Sequence, residues 1–193
     1  MSEEGARSRK RRETRQRISE TGLRLFLAHG YEGTTLDAIA AEAGISRRTI
    51  FLHFKSKDDI LFAWQEAGWA GLYADLLKTS PDAQPLDAVR TLVLRYIAHY
   101  TSDEMNAIDR LMRSSELLQS RKQAFYAEQE QALFAVLCEV WRQPERRMAL
   151  RMVAVASVGA MRVATQAWND HPEPRKPVAE FLREAFESLK SEL

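Results

Sequence analysis

Arg47, Arg48, Thr49 and His53 fall within two helical turns of each other, and such a set of donors on a short helix suits hydrogen bonding in a DNA groove. An Arg fork matches guanine O6 and N7, and each such pair discriminates against other bases by roughly 1–3 kcal/mol. Helical spacing predicts that Ile45, Ile50 and Phe54 share the inner face, leaving Arg47, Arg48, Thr49 and His53 to point outward. Lys57 is expected in the first turn of the next helix, where free backbone N–H groups also favour a phosphate. Other chemistries lack their residues. The chain has no HExxH, no paired Cys motif, no phosphate-binding Gly loop and no nucleophile elbow, and its four histidines are scattered. An enzyme, a metal site and a bound cofactor are therefore not expected.

Two short helices with a glycine turn between them must position these donors. For the first, Thr34 and Asp37 predict a capping box ahead of apolar Leu36, Ile39, Ala40 and Ala43 at helical spacing. Gly44 is expected to end it in the left-handed conformation, and Ser46 to cap the second helix through its hydroxyl. A bracing helix from Glu13 to His29 carries Ile18, Gly22, Leu25 and Phe26 on one face. A fourth helix is predicted from Ser56, with Asp59 as its capping partner, to about Lys78.

With its flanks, this stretch closely resembles the N-terminal domain of the TetR family of bacterial transcription regulators. The resemblance runs from about Arg15 to Leu61 through Leu25-Phe26, Gly30-Tyr31, Thr34-Thr35, the Ala-Gly-Ile-Ser turn, Phe51, Phe54 and Ser56-Lys57. It implies base-edge contacts by Arg47, Arg48 and Thr49, and phosphate contacts by Thr35, Ser46, His53 and Lys57. The family usually has Tyr where this chain has Phe51, and that hydroxyl often reaches a phosphate. Phe51 is expected to keep the ring's packing and lose the hydrogen bond.

The 28 basic and 27 acidic residues nearly cancel, but residues 1–57 hold 12 Lys/Arg against 7 Asp/Glu and the remainder 16 against 20, so positive charge gathers where DNA would lie. Residues 1–12 read as a disordered basic arm, either a solubilising tail or a source of extra phosphate or minor-groove contacts through Arg7, Arg9, Lys10, Arg11 and Arg12. A lone Cys138 excludes an intramolecular disulfide, and no apolar leader opens the chain, so a reducing cytoplasm is the expected address. Cys138 lies among Val136, Leu137 and Val140 and reads as a buried thiol rather than a redox sensor. The longest apolar run, Met152–Met161, is about half of the ~20 residues a membrane span requires, so no spanning segment is expected.

Everything after residue 57 reads as helix: Pro85 to about Thr101, a Thr101–Glu104 capping box opening a segment to Ser114, Glu116 to Arg142, Pro144 to Asn169, and Pro177 to Leu193. The expected fold is all-α, with a basic arm over 1–12, a helix-turn-helix DNA-binding domain over 13–57, and a helical ligand-binding and dimerisation domain over 58–193. By resemblance, the last two helices pair with those of a second subunit, which the small residues Ala154, Ser157, Gly159, Ala160 and Ala164 would permit, and the C-terminal domain encloses a ligand pocket. Polar candidates to orient a ligand are Tyr96, His99, Arg113, Tyr126 and Arg162. Arg151 and Arg162 flank Val155 and Val158 on one helical face, which suits the acidic head of an amphipathic ligand, a dimer interface or salt bridges. The C-terminal sequence is also similar to the branch of mycofactocin-system regulators, some of which sense acyl-CoA compounds. The function expected is a homodimeric repressor that binds a palindromic double-stranded DNA operator and is released by a small-molecule effector. A DNA-binding protein without a small ligand is the main alternative, and a small helical enzyme a remote one.

Overall fold

Gly30 and Gly44 hold φ values of 77° and 65°, and at both the chain leaves a helix through the left-handed region that a side chain resists. These turns organise the N-terminal helices. The computed structural model describes residues 3–114, 116–172 and 175–192, and among these it has nine α-helices, a short 3₁₀ turn and no strand. The helices are α1 (Glu3–His29), α2 (Leu36–Glu42), α3 (Arg47–His53), α4 (Lys57–Leu76), α5 (Pro85–Ile97), α6 (Ser102–Arg113), α7 (Glu116–Val140), α8 (Arg147–Asp170) and α9 (Val178–Glu192). The chain divides within α4 into two compact units, between Gly68 and Trp69.

In the first unit, α1, α2, α3 and the start of α4 enclose Ile18, Phe26, Ile39, Ile50, Phe54, Ile60 and Leu61, all 0–2% exposed. Gly22 of α1 faces Ile60 of α4 so closely that a Cβ there would overlap the Ile60 Cγ2 methyl. The absence of a side chain lets the two helices touch.

Two features differ from the expectation. Thr35, not Thr34, caps α2: its hydroxyl accepts from the Ala38 N–H at 3.1 Å. Thr34 is buried instead, and its hydroxyl donates to the carbonyls of Gly30 at 2.8 Å and Leu25 at 3.2 Å, closing the end of α1. Helix α1 begins at Glu3, so the described part of the basic arm is helical rather than disordered. Its Ala, Arg, Lys and Glu residues are strong helix formers, and Arg9 pairs with Glu13 one turn on at 3.7 Å. Met1 and Ser2 lie outside the described residues.

In the second unit, α8 packs on α7 and α9, and α5 rests on α8 and α9. Trp141 and Trp168 are buried anchors whose indole N–H groups donate to the carbonyls of Ala83 and Lys176, each at 3.0 Å. The Thr101–Glu104 box forms as predicted, and α5 stops at Ile97 rather than near Thr101. Helix α8 with the turn before it, Pro144–Asp170, is long and apolar enough to cross a membrane by length and composition, against the sequence reading of a ten-residue run. Part of its apolar character serves the core between α7 and α9, which Leu150, Ala154, Val158, Ala164 and Trp168 fill, while Met148, Met152, Val155 and Val163 stay exposed.

Candidate nucleic-acid interface

Ser46 fixes the start of α3, where its hydroxyl accepts from the Thr49 N–H at 3.1 Å and meets the Thr49 hydroxyl at 2.8 Å. Ile50 turns inward, and Arg47, Arg48, Phe51 and Leu52 turn outward. The Arg47 guanidinium pairs with Asp37 of α2 at 3.2 Å and lies 5.9 Å from the Phe51 ring centre. Phe51 is 48% exposed, so the ring does not pack in the core as the sequence reading expected. Position 51 is one residue on from Ile50, and about 100° of helical rotation carries it to the open flank.

The C-terminal end of α3 is tied down by a residue that sequence reasoning missed. Arg15 of α1 donates to the His53 carbonyl at 3.0 Å, lies over the Phe54 ring at 4.4 Å and reaches Glu66 of α4 at 3.5 Å. It thereby satisfies an end carbonyl of α3 with a cation, the charge a helix C-terminus favours. Nothing in the local pattern of α1 marks it, because its partners come from α3 and α4.

His53 is half-buried, and burial, then Arg11 and Arg15, hold its pKa below the ordinary value. Lys57 donates to the Tyr31 carbonyl at 2.7 Å, sits 4.4 Å over the Tyr31 ring and lies 3.9 Å from Glu32. An ammonium has three donors, so this anchoring leaves capacity for an anion. Tyr31 in turn donates to Asp58, and Thr35 and Ser46 are exposed at the N-terminal ends of α2 and α3.

The sequence from 18 to 64 matches the profile of bacterial regulatory proteins of the TetR family, and residues 83–193 match that of the MftR C-terminal domain. The chain belongs to the TetR family. As a TetR-family member it has a DNA-binding domain, and the family is one of transcription regulators rather than enzymes. A mycofactocin biosynthesis regulator by name, MftR of Mycobacterium tuberculosis, is 33% identical over 66% of this chain and 63% of its own length. The HTH-type transcriptional regulator TcmR of Streptomyces glaucescens is 32% identical over 54% of this chain and 46% of its own length. The chain thus spans less than two thirds of the length of either relative. Among solved structures, the TetR-family repressor FadR of Thermus thermophilus in complex with lauroyl-CoA shares the fold, with a TM-score of 0.60 at 21% identity over 91% of this chain and 93% of that one.

The C-terminal candidates do not form one site. Arg113, Tyr126 and Arg162 line a cleft of about 360 Å³, joined by Lys122, Gln123 and Asn169. Tyr96 and His99 do not line it: the Tyr96 hydroxyl meets that of Tyr100 at 3.0 Å, and the exposed His99 ring, in the turn after α5, faces the carbonyls of Arg95 and Tyr96. Buried Asp109 pairs with Arg113 at 2.9 Å. Burial pushes the Tyr126 pKa up to about 12 and the Lys122 pKa down, and the nearby Asp109 charge opposes the latter shift. Sequence reasoning missed Lys122, which helical spacing places one turn before Tyr126 on α7. Arg151 and Arg162 both turn toward α7 rather than to a shared solvent face. Arg151 donates to Gln131 at 2.8 Å and lies 5.3 Å from the Phe134 ring, Val158 between them is buried, and Arg162 stands by Tyr126.

Proposed function

We propose that this chain is a ligand-responsive TetR-family repressor, cytoplasmic and homodimeric, whose paired recognition helices α3 bind a near-palindromic operator. The observation that carries the reading is the outward pair Arg47–Arg48 on a capped helix, flanked by Thr35, Ser46, His53 and Lys57 on neighbouring ends. In this reading Arg47, Arg48 and Thr49 take base edges, while Thr35, Ser46, His53 and Lys57 take phosphates. The cations of the helical start of α1 add further phosphate contacts. The exposed apolar stripe Met148, Met152, Val155 and Val163 on α8 supplies the dimer face.

The effector is an amphipathic acid, an acyl-CoA-like molecule among them. Arg113, Lys122 and Arg162 offer it cations beside the Tyr126 ring, and a fold relative holds lauroyl-CoA. By binding one dimer state more tightly, the effector lowers DNA affinity by the ratio of its affinities for the two states. Genomic fragments captured by the full chain should map to discrete sites with inverted half-sites, and lauroyl-CoA should release them. Capture without sequence preference sinks the regulator reading; sequence-specific capture indifferent to acyl-CoA and to free fatty acids sinks the effector reading alone.

Four expected results test the assigned roles. Arg48→Ala should change base preference at one symmetric operator position, at about 1–3 kcal/mol for each lost bidentate contact. Lys57→Ala should instead weaken all duplexes about equally and lower the salt slope by about one per site, so titrations at several salt concentrations separate the two. Phe51→Tyr should tighten binding to every duplex by at most about 1.5–3 kcal/mol, the worth of a hydrogen bond to a charged group. No gain on any DNA would mean that the ring edge does not face the backbone. His53 carries a pH dependence: a phosphate favours its charged form, while its surroundings in the free chain disfavour it. Binding should therefore take up a proton and tighten as pH falls from about 8 to 5, levelling off below the depressed value of the free chain. The His53→Gln variant should lose that slope, and an equal slope in both proteins would assign it to another group.

A further inference from the structure

Leu52 is 68% exposed on α3, while Ile50 and Phe54 on either side of it in sequence are 0% and 2% exposed. Single exposed leucines are common on protein surfaces and by themselves carry no meaning. This one differs in its neighbours. It lies one helical turn beyond Arg48, as Phe51 lies one turn beyond Arg47, so two cation–apolar rows run along the outward face of α3. In the first row the Arg47 guanidinium stands over the Phe51 ring. In the second, Leu52 presents its methyl groups to solvent beside Arg48, also exposed.

A face that enters the major groove meets base edges there, and these are donors and acceptors with one apolar exception, the 5-methyl group of thymine. A leucine held against any other base edge would desolvate polar groups without pairing them. We propose that Leu52 reads the 5-methyl group of a thymine in each operator half-site. The proposal rests on the reading of α3 as the recognition helix and adds a base and a residue to it. Four residues of helix advance about 6 Å. Base pairs rise by about 3.4 Å, which sets the thymine within about two base-pair steps of the base that Arg48 contacts.

The test uses the full chain and a duplex that the chain itself selects from a randomised library. Each thymine of one half-site is replaced in turn by deoxyuridine, which keeps every hydrogen-bonding group and removes only the methyl. One position should weaken binding roughly fourfold, the equivalent of one buried methyl-sized group. The Leu52→Ala variant should bind the unmodified duplex several-fold more weakly and be indifferent to deoxyuridine at that position. Leu52→Met, which restores an apolar reach, should regain the sensitivity. The proposal is overturned if no thymine is sensitive in the wild-type chain, if the selected half-site has no thymine there, or if Leu52→Ala keeps the sensitivity. Sequence-specific binding that survives those outcomes leaves the regulator reading intact, whereas a chain that selects no duplex overturns both.

Discussion

Val163→Asp is expected to make the chain monomeric and to lower its operator affinity by about 10²–10⁴-fold, the usual gain from linking two binding modules. Met148, Met152, Val155 and Val163 are 74%, 58%, 36% and 59% exposed and recur along one line of α8, opposite the side that packs into the core. A monomer would leave this stripe in water, and a two-fold interface would bury it against its own copy. Symmetry doubles the effect of the substitution, since one interface would hold two new carboxylates and both would be desolvated. Because Val163 is exposed, the fold of a single chain should survive. Sedimentation velocity should show the loss of the dimer, and titration should show nonspecific binding retained while operator binding falls. A Val163→Asp dimer with full affinity would mean that another surface pairs the subunits.

The largest expected change in stability follows Trp168→Ala, at about 3–5 kcal/mol for a buried aromatic truncated in place. Trp168 is fully buried, its indole N–H holds the Lys176 carbonyl just before α9 begins, and Arg175 lies 5.0 Å over its ring. One side chain therefore fills the core and sets where α9 leaves the end of α8. Trp168→Phe should cost less, because most of the volume remains and only the carbonyl of Lys176 loses its donor. Urea denaturation followed by circular dichroism measures both. A loss below about 1 kcal/mol for Trp168→Ala would mean that the site collapses around the cavity or that α9 does not depend on it.

The parts of this molecule legible in the sequence are those whose causes are local. Gly44 and Ser46 signal the turn and cap of α3 by their own conformational and hydrogen-bonding capacity, and both act as expected. Thr34 and Thr35 show where locality fails. Either threonine can cap α2, and the choice is made by the carbonyls of Leu25 and Gly30, which only the folded chain brings to Thr34. Arg15 escaped notice for the same reason, since its partners His53, Phe54 and Glu66 are far away in sequence. Leu52 was within reach: once Ile50 and Phe54 are assigned inward, helical rotation leaves position 52 outside. An apolar residue type hid it, because apolar residues are read as core by default. Tyr96 and His99 have suitable chemistry for a ligand, but neither lines the cleft that Arg113, Tyr126 and Arg162 share.

The contact of Gly22 with Ile60 couples what each of these two positions can accept. Alanine at 22 would favour helix α1 by itself, by about 1 kcal/mol over glycine. Yet its methyl claims the space of a β-branched carbon that is fully buried and has little rotamer freedom in a helix. Leucine at 60 moves the branch one carbon outward and vacates that space, leaving a small void while residue 22 is still glycine. A small void is easier to bear than an overlap, so a lineage drifting from one pairing to the other would change residue 60 before residue 22. The same dependence warns against transplanting either residue into a relative that carries the opposite pairing.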